Sequence, residues 1–226
     1  MAWSAKPSGG YTLSSAQGTG NINEINTYLS AQGYTLEAVC GVCGNMISES
    51  ALNPWRWQSD TVNMSGGYGL FQYTPASGYI NGATGVQYYA PNLSTSAQTT
   101  GALATDGIAQ LYVMDTNMLG KWVSTCWRSY WDKEQYPNEW NLHNLILNTY
   151  GDGEHINMTE FRLIPYVYHA VFAFLACFEG PANLHLQARY ENAIAVYRLL
   201  TGQDPPEPTP TERKRLPIWM MIKYHI

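Results

Sequence analysis

Charged residues are scarce in this chain of 226 residues, at 13% of the total, which is about half the usual share. Acidic residues outnumber basic ones by 17 to 12, and the formal net charge is −5. A protein that grips phosphate backbones needs a basic face, so the composition disfavours nucleic acid as a partner.

Cysteines and long apolar runs are also few. The four cysteines, at positions 40, 43, 126 and 177, are too unevenly spaced for a disulfide scaffold. No run approaches the roughly 18 apolar residues that a membrane span requires. Residues 1–20 contain no apolar stretch typical of a signal peptide. We therefore expect neither a transmembrane segment nor a signal peptide.

Aromatic residues are abundant where charge is sparse. The chain has 17 tyrosines and 8 tryptophans, and its hydrophobic content of 45% is typical of a folded protein. Aromatic rings combined with uncharged polar groups suit a neutral polymer such as a glycan.

Helical periodicity dominates most of the chain. Asn21 and Glu24 predict the start of a first helix, and Thr35 the start of a second that ends at Asn53-Pro54. Further helices are predicted at about 102–119, 139–149, 160–178 and 183–201. The stretch from Phe161 to Phe178, which includes Leu163, is apolar almost all round and predicts a buried central helix.

The remaining segments differ in composition from the helices. Residues 54–100 are rich in Gly, Ser, Asn and Tyr and predict a loop and hairpin lobe. Residues 1–20 predict a flexible arm, and residues 202–212 a proline-rich, semi-rigid linker. The basic and apolar residues 213–226 are a chain end or docked strand, a docking peptide for a partner, or a membrane-surface contact. Residues 21–201 remain as one domain.

The densest group of candidate residues is GNMISESALNP at 44–54, followed by GGYGLFQYTP at 66–75. Glu49 falls in the last turn of the second predicted helix, where unpaired carbonyls disfavour an anion. Such a position suits a general acid, which must hold a proton in order to donate it. The alternative is a surface glutamate that is tolerated at a helix end.

The glycines before Gln72 allow the backbone to pass close to a bound polymer. Gln72 itself offers both a donor and an acceptor to sugar hydroxyls or to an attacking water. Five nearby aromatic residues could stack on sugar rings or pack in the core: Trp55, Trp57, Tyr68, Phe71 and Tyr73.

The two segments together resemble the phage tail lysozyme family, which opens peptidoglycan during infection, and more loosely the lytic transglycosylases and goose-type lysozymes. FEGP at 178–181 and Arg189, Ala193 and Tyr197 on the following helix resemble the C-terminal part of that family. The resemblance covers residues 20–201. It implies a mainly α (α+β), lysozyme-like domain of two lobes, with a cleft between the loop/hairpin lobe and the helical lobe.

The resemblance implies that Glu49 protonates the glycosidic oxygen between N-acetylmuramic acid and N-acetylglucosamine. Asp60 is a possible second carboxylate, or simply a turn former. Without a second carboxylate, the N-acetyl group of the substrate would stabilise the cation, which favours lytic transglycosylation with a 1,6-anhydro product. The expected substrate-binding residues are Gln72, Tyr73, Thr74, Tyr68 and Asn53.

The resemblance also implies a virion-borne tail protein that acts on the bacterial cell wall so that the tail can penetrate and eject the genome. Its expected partners are peptidoglycan strands and other tail proteins, with residues 213–226 as the docking tail. A structural tail component that binds glycan without cutting it is an alternative. A buried Glu49 facing Gln72 would favour the enzyme, and a Glu49 paired with a cation would favour the binder.

We expect no cofactor and no metal. The five histidines lack metal-ligand spacing. Cys40 and Cys43 are predicted to be core thiols, although a disulfide or metal half-site is the alternative. Glu179 is expected to pair with Arg189 and so to fix the last two helices.

Overall fold

The computed structural model describes residues 3–5, 13–61, 63–79, 106–116, 133–181 and 183–206. Within these ranges the regular structure is helical, apart from isolated β-bridges that join Trp57 to Tyr68 and Tyr68 to Tyr73. The predicted mainly-α fold is therefore confirmed. The helices are α1 (Ser15–Ala31), α2 (Leu36–Ser50), α3 (Asp106–Asp115), α4 (Pro137–Tyr150), α5 (Met158–Phe161), α6 (Val167–Phe174) and α7 (Leu186–Thr201).

The described residues also include two short irregular turns that bear on the site. A 3-10 turn spans Gln58–Asp60, and a π-helical turn, Leu175–Glu179, continues α6. Residues 80–100, Cys126 and the predicted docking tail at 213–226 lie outside the described residues.

Helix α2 packs between α6 and α7, and two glycines set how closely these helices approach. A Cβ added to Gly41 would lie 2.7 Å from the Cβ of Ala170 on α6. A Cβ added to Gly44 would lie 2.5 Å from the backbone oxygen of Arg189 on α7. Real Cβ atoms do not come this close to other heavy atoms, so both positions require glycine in this packing.

Helix α1 begins at Ser15, which corrects the start predicted at Asn21. Ser14 caps the helix, and its side chain and that of Gln17 each bond the other's backbone N–H, which is a capping box. Residues 15–20 are therefore helical and not part of an arm. Asn21 is buried inside the helix, where its amide donates to the backbone oxygens of Ser4 (2.7 Å) and Leu52 (2.9 Å).

The predicted continuous helix over 160–178 is broken between α5 and α6. Pro165 lies in the break, where it lacks a backbone N–H and disfavours a helical conformation for the residue before it. Leu163, in the same break, is 63% exposed, whereas every residue of α6 is buried. The break is tied to the start of α2, because the Thr35 hydroxyl donates to the Ile164 carbonyl at 2.7 Å.

Cys40 and Cys43 are fully buried free thiols on α2, as predicted. Burial raises the pKa of Cys43 to about 12, and it also raises the pKa of Cys40. Both thiols therefore stay protonated and unreactive near neutral pH.

None of the helices in the described part of the chain is both long enough and apolar enough to cross a bilayer.

The tight contact at Gly44 gives a stability prediction. We expect Gly44→Ala to lower the free energy of unfolding by about 1–3 kcal/mol, because the added methyl group overpacks the contact with α7. Gly18→Ala is the matched control, since a Cβ there meets nothing within 4 Å. That control should gain up to about 1 kcal/mol from helix propensity. Urea denaturation measures both, and a Gly44→Ala variant as stable as wild type would contradict the packing described.

His143 gives a pH prediction. Burial lowers its pKa to about 4, from about 6.5 in an unfolded chain. Between these values the unfolded state binds a proton that the folded state excludes. The free energy of unfolding should therefore fall as pH drops from about 6.5 to 4, by up to about 3 kcal/mol from this group.

Urea titrations of wild type and His143→Phe between pH 7 and 4.5 test this expectation. The loss of stability on acidification should be smaller in His143→Phe. Equal slopes for the two proteins would show that His143 does not titrate as described.

Candidate functional site

A cavity of about 470 Å³ opens beside the C-terminal end of α2. It contains Glu49 from α2 and Gln58 from the 3-10 turn. The loop of residues 71–74 forms a second wall, and the end of the π-helical turn forms a third, with Phe178, Glu179 and Pro181. Four of the residues predicted to form the site are thus brought together: Glu49, Gln72, Tyr73 and Thr74.

Glu49 is the second-last residue of α2, whose cap, Ala51, has a left-handed conformation with φ of 52°. Its side chain is 19% exposed, and its Oε1 lies 2.5 Å from Nη2 of Arg189 on α7. The Arg189 side chain is only 4% exposed. The carboxyl therefore reaches the cavity, while its Oε1 is bound by the buried guanidinium of Arg189.

Asn45 holds the arginine in place. Its Oδ1 accepts from Arg189 Nη1 at 3.0 Å, and its amide donates to the backbone oxygens of Gly41 (2.9 Å) and Val171 (3.1 Å). Nε of Arg189 donates to the Leu184 carbonyl at 3.2 Å. The expected pairing of Arg189 with Glu179 is wrong, because this network directs the guanidinium to Glu49.

The environment of Glu49 combines the two features that were expected to separate an enzyme from a binder. The carboxyl is mostly buried in a cavity that it shares with Gln72. It is also paired with Arg189, and such a pairing stabilises the charged form of a carboxyl. The carbonyls at the end of α2 act in the opposite direction.

The loop of residues 67–73 is fixed by Gln110 of α3. Gln110 Oε1 accepts from the Leu70 N–H (2.6 Å), its amide donates to the Pro54 carbonyl (2.9 Å), and its own carbonyl accepts from the Tyr73 hydroxyl (3.2 Å). Gly69 has φ of +80°, and a Cβ there would clash with the Gln110 amide. The loop can therefore take this course only with glycine at position 69.

Gln110 did not stand out in the sequence. The available signal was a lone amide inside an apolar run, IAQLYV at 108–113, within a predicted helix.

Ser50 provides a second contact to the loop, since its hydroxyl lies 3.0 Å from the carbonyl oxygens of both Met46 and Leu70. The end of α2 and the loop are thus held together next to Glu49.

Gln72 is oriented by its own backbone surroundings. Its amide nitrogen donates to the carbonyls of Arg56 (3.2 Å) and Gly69 (3.0 Å), and its φ is 47°. Because both amide hydrogens are directed at backbone oxygens, the side-chain carbonyl is the group that Gln72 can offer to a ligand. It can accept a hydrogen bond from a hydroxyl or a water, but it is not placed to donate one.

Three other candidate residues lie away from the cavity. Tyr68 is 1% exposed and packs on Trp57 with ring centroids 4.5 Å apart. Asn53 is fully buried and accepts from the Trp55 N–H at 3.1 Å. Their burial corrects the expectation of direct glycan contact and gives them a supporting position. Asp60 ends the 3-10 turn and is not among the described residues that line the cavity.

Among the residues that the structure describes, no group of three or more His, Cys, Asp or Glu is arranged to hold a metal ion. A second cavity, of about 370 Å³, lies beside Trp140 and His155 and contains none of the predicted site residues.

Comparisons with known proteins give two findings. Residues 20–200 match the family described as phage tail lysozyme. Morphogenesis protein 1 of Bacillus phage B103 is 47% identical to the chain over 72 residues, which are 31% of this chain and 20% of that protein. The aligned part of the chain thus corresponds to about a fifth of the length of this relative.

The position of Gln110 gives a prediction for the loop. In Gln110→Leu the Leu70 N–H and the Pro54 carbonyl lose a buried partner, which should cost about 1–3 kcal/mol for each group. We expect the Leu70 amide to exchange its hydrogen at least about tenfold faster, measured by NMR. Gln187→Leu, an exposed change on α7, should leave that rate unchanged. Unchanged exchange in Gln110→Leu would show that the loop is held by other contacts.

Proposed function

The chain belongs to the phage tail lysozyme family, and we propose that it cleaves the β-1,4 bond between N-acetylmuramic acid and N-acetylglucosamine in peptidoglycan. The observation that carries this proposal is the position of Glu49, a mostly buried carboxyl that lines the same cavity as Gln72, Tyr73 and Thr74. A glycan strand in this cavity would lie between a proton donor and hydrogen-bonding groups.

In this proposal Glu49 acts as the general acid. It gives its proton to the glycosidic oxygen as the bond from C1 of N-acetylmuramic acid to that oxygen breaks, which lets N-acetylglucosamine leave as an alcohol. Arg189 would then stabilise the carboxylate that remains. Because Asn45 fixes the guanidinium from behind, this stabilisation would need no rearrangement of the protein.

The other walls suit a sugar polymer. Phe71, Tyr73 and Phe178 line the cavity but are only 3–4% exposed, and the ring centroids of Phe71 and Phe178 lie 5.4 Å apart. They form a packed apolar base, so the groups that a glycan would contact are mainly polar. The Gln72 side-chain carbonyl can accept from a sugar hydroxyl, while the Thr74 hydroxyl, which donates to the Gln72 backbone oxygen at 3.0 Å, can accept from another.

The family also supports a place for this activity. We propose that the protein works on the virion, where it opens the bacterial wall for the tail, and that residues 213–226 dock it to other tail proteins. This docking segment lies outside the described residues.

Two alternatives share the same cavity. The first is lytic transglycosylation, in which the O6 hydroxyl of the cleaved sugar attacks C1 in place of water. The second is glycan binding without cleavage. The ion pair between Glu49 and Arg189 favours this alternative, because a carboxylate paired with a guanidinium takes up a proton less readily, and a general acid must first hold a proton.

The products released from purified peptidoglycan test the proposal. We expect wild type to release muropeptides with reducing ends, and Glu49→Gln to lower that release by about 10²–10⁴-fold. Glu37→Gln is the matched control, because it makes the same change in the first turn of the same helix. Mass spectrometry identifies the end groups.

Each other outcome has a definite meaning. Solely 1,6-anhydro ends would establish a transglycosylase. No release by wild type, on walls that a control lysozyme digests, would contradict cleavage and leave the binder.

A further inference from the structure

We propose that Glu179 is the second catalytic carboxyl of this site and that it activates the water which attacks C1. This inference rests on the proposed glycan cleavage and assigns a residue to the part of the reaction that Glu49 does not perform. Glu179 was expected to be the structural partner of Arg189, a role that the structure gives to Glu49.

Glu179 is presented by a firmly packed element. It is the last residue of the π-helical turn, in which Leu175, Ala176, Cys177 and Phe178 are all buried. The turn closes at Gly180, which has φ of 54° and whose N–H donates to the Leu175 carbonyl at 2.7 Å. The Glu179 side chain lines the cavity, and its Oε1 is shielded from solvent.

Two helix ends therefore direct a carboxyl into one cavity. Glu49 comes from the C-terminal turn of α2, and Glu179 comes from the turn that continues α6. They line one cavity of about 470 Å³, which is many times the ~30 Å³ that a water molecule occupies in the liquid. The cavity therefore has room for an attacking water beside a sugar ring, as in glycosidases that place a water between two carboxyls.

A single-displacement step needs two carboxyls in different states, one protonated and the other ionised. Glu49 is the proton donor of the proposed function. Of the two carboxyl residues that line this cavity, Glu179 is therefore left to activate the water.

The proposed step is balanced. Glu179 takes a proton from water, and the water oxygen bonds to C1 of N-acetylmuramic acid. The bond from C1 to the glycosidic oxygen breaks, and that oxygen receives the proton of Glu49. Exchange with solvent then returns Glu179 to its ionised form and Glu49 to its protonated form.

Asp60 is the rival for this role. Its Oδ1 is buried without a hydrogen-bond partner among the described residues, but Asp60 does not line the cavity, whereas Gln58 of the same turn does. The described geometry thus favours Glu179.

The ratio of the two product types tests the assignment. If Glu179 activates water, Glu179→Gln should lower reducing-end products about 10²-fold or more, by analogy with other general bases. The rate at which anhydro products form should fall much less. In that reaction the O6 hydroxyl attacks C1, and Glu49 takes the hydroxyl proton after the glycosidic bond breaks. We expect the ratio of anhydro to reducing ends to rise at least about tenfold. This ratio is measured within one digest, so it does not depend on the fraction of protein that is folded.

Two further variants complete the experiment. Asp60→Asn should leave the ratio as in wild type, and so should Glu191→Gln, a change at an exposed position of α7. If Glu179→Gln releases nothing, peptidoglycan is digested with Glu179→Ala in the presence of added azide, which can attack C1 without a base. A glycosyl azide product then supports the assignment, and its absence from a protein with a wild-type circular dichroism spectrum overturns it.

The outcomes separate this inference from the proposed function. An unchanged ratio in Glu179→Gln, a raised ratio in Asp60→Asn, or wild-type products that are solely anhydro would overturn the role of Glu179 while glycan cleavage stands. No release by wild type would overturn both.

Discussion

The contact between Arg189 and Glu49 is the interaction on which the arrangement of the site depends. It joins α7 to the end of α2 at 2.5 Å, and it exists because Gly44 lets the two helices approach and Asn45 turns the guanidinium toward the carboxyl. The GN pair at 44–45 is therefore part of the site although neither residue lines the cavity. Removing one partner of such a sheltered ion pair would strongly destabilise the fold, because the other partner would remain buried and unpaired.

The loop that lines the same cavity is held by different means, through hydrogen bonds from side chains to its backbone. Gln110 and Ser50 together hold Leu70 by its N–H and its carbonyl, so the loop of residues 67–73 is anchored to both α3 and α2. A cleft between a rigid helix end and a rigid loop is preorganised, and preorganised donors and charges stabilise a transition state without reorganising at the moment of reaction.

The sequence was informative wherever a signal was local. The helical class and α2 with Glu49 near its end followed from periodicity, and the family resemblance implied that Glu49 shares a cleft with Gln72 and Thr74. Errors arose where distant residues decided the outcome: Arg189 pairs with Glu49 because Asn45 of another helix directs it, and Tyr68 is buried by Trp57. Two differences have local causes. The capping box at Ser14 and Gln17 lies among poor helix formers, and Pro165 interrupts an otherwise apolar run.

The most direct test of this account is a crystal structure of Glu49→Gln with a peptidoglycan tetrasaccharide. The account predicts that the glycan lies in the cavity of about 470 Å³, with its scissile oxygen within about 3 Å of the side chain at position 49. It also predicts that Arg189 stays bound to Asn45. A glycan bound elsewhere, or one in the cavity with no glycosidic oxygen near position 49, would contradict the assignment of Glu49 as the acid.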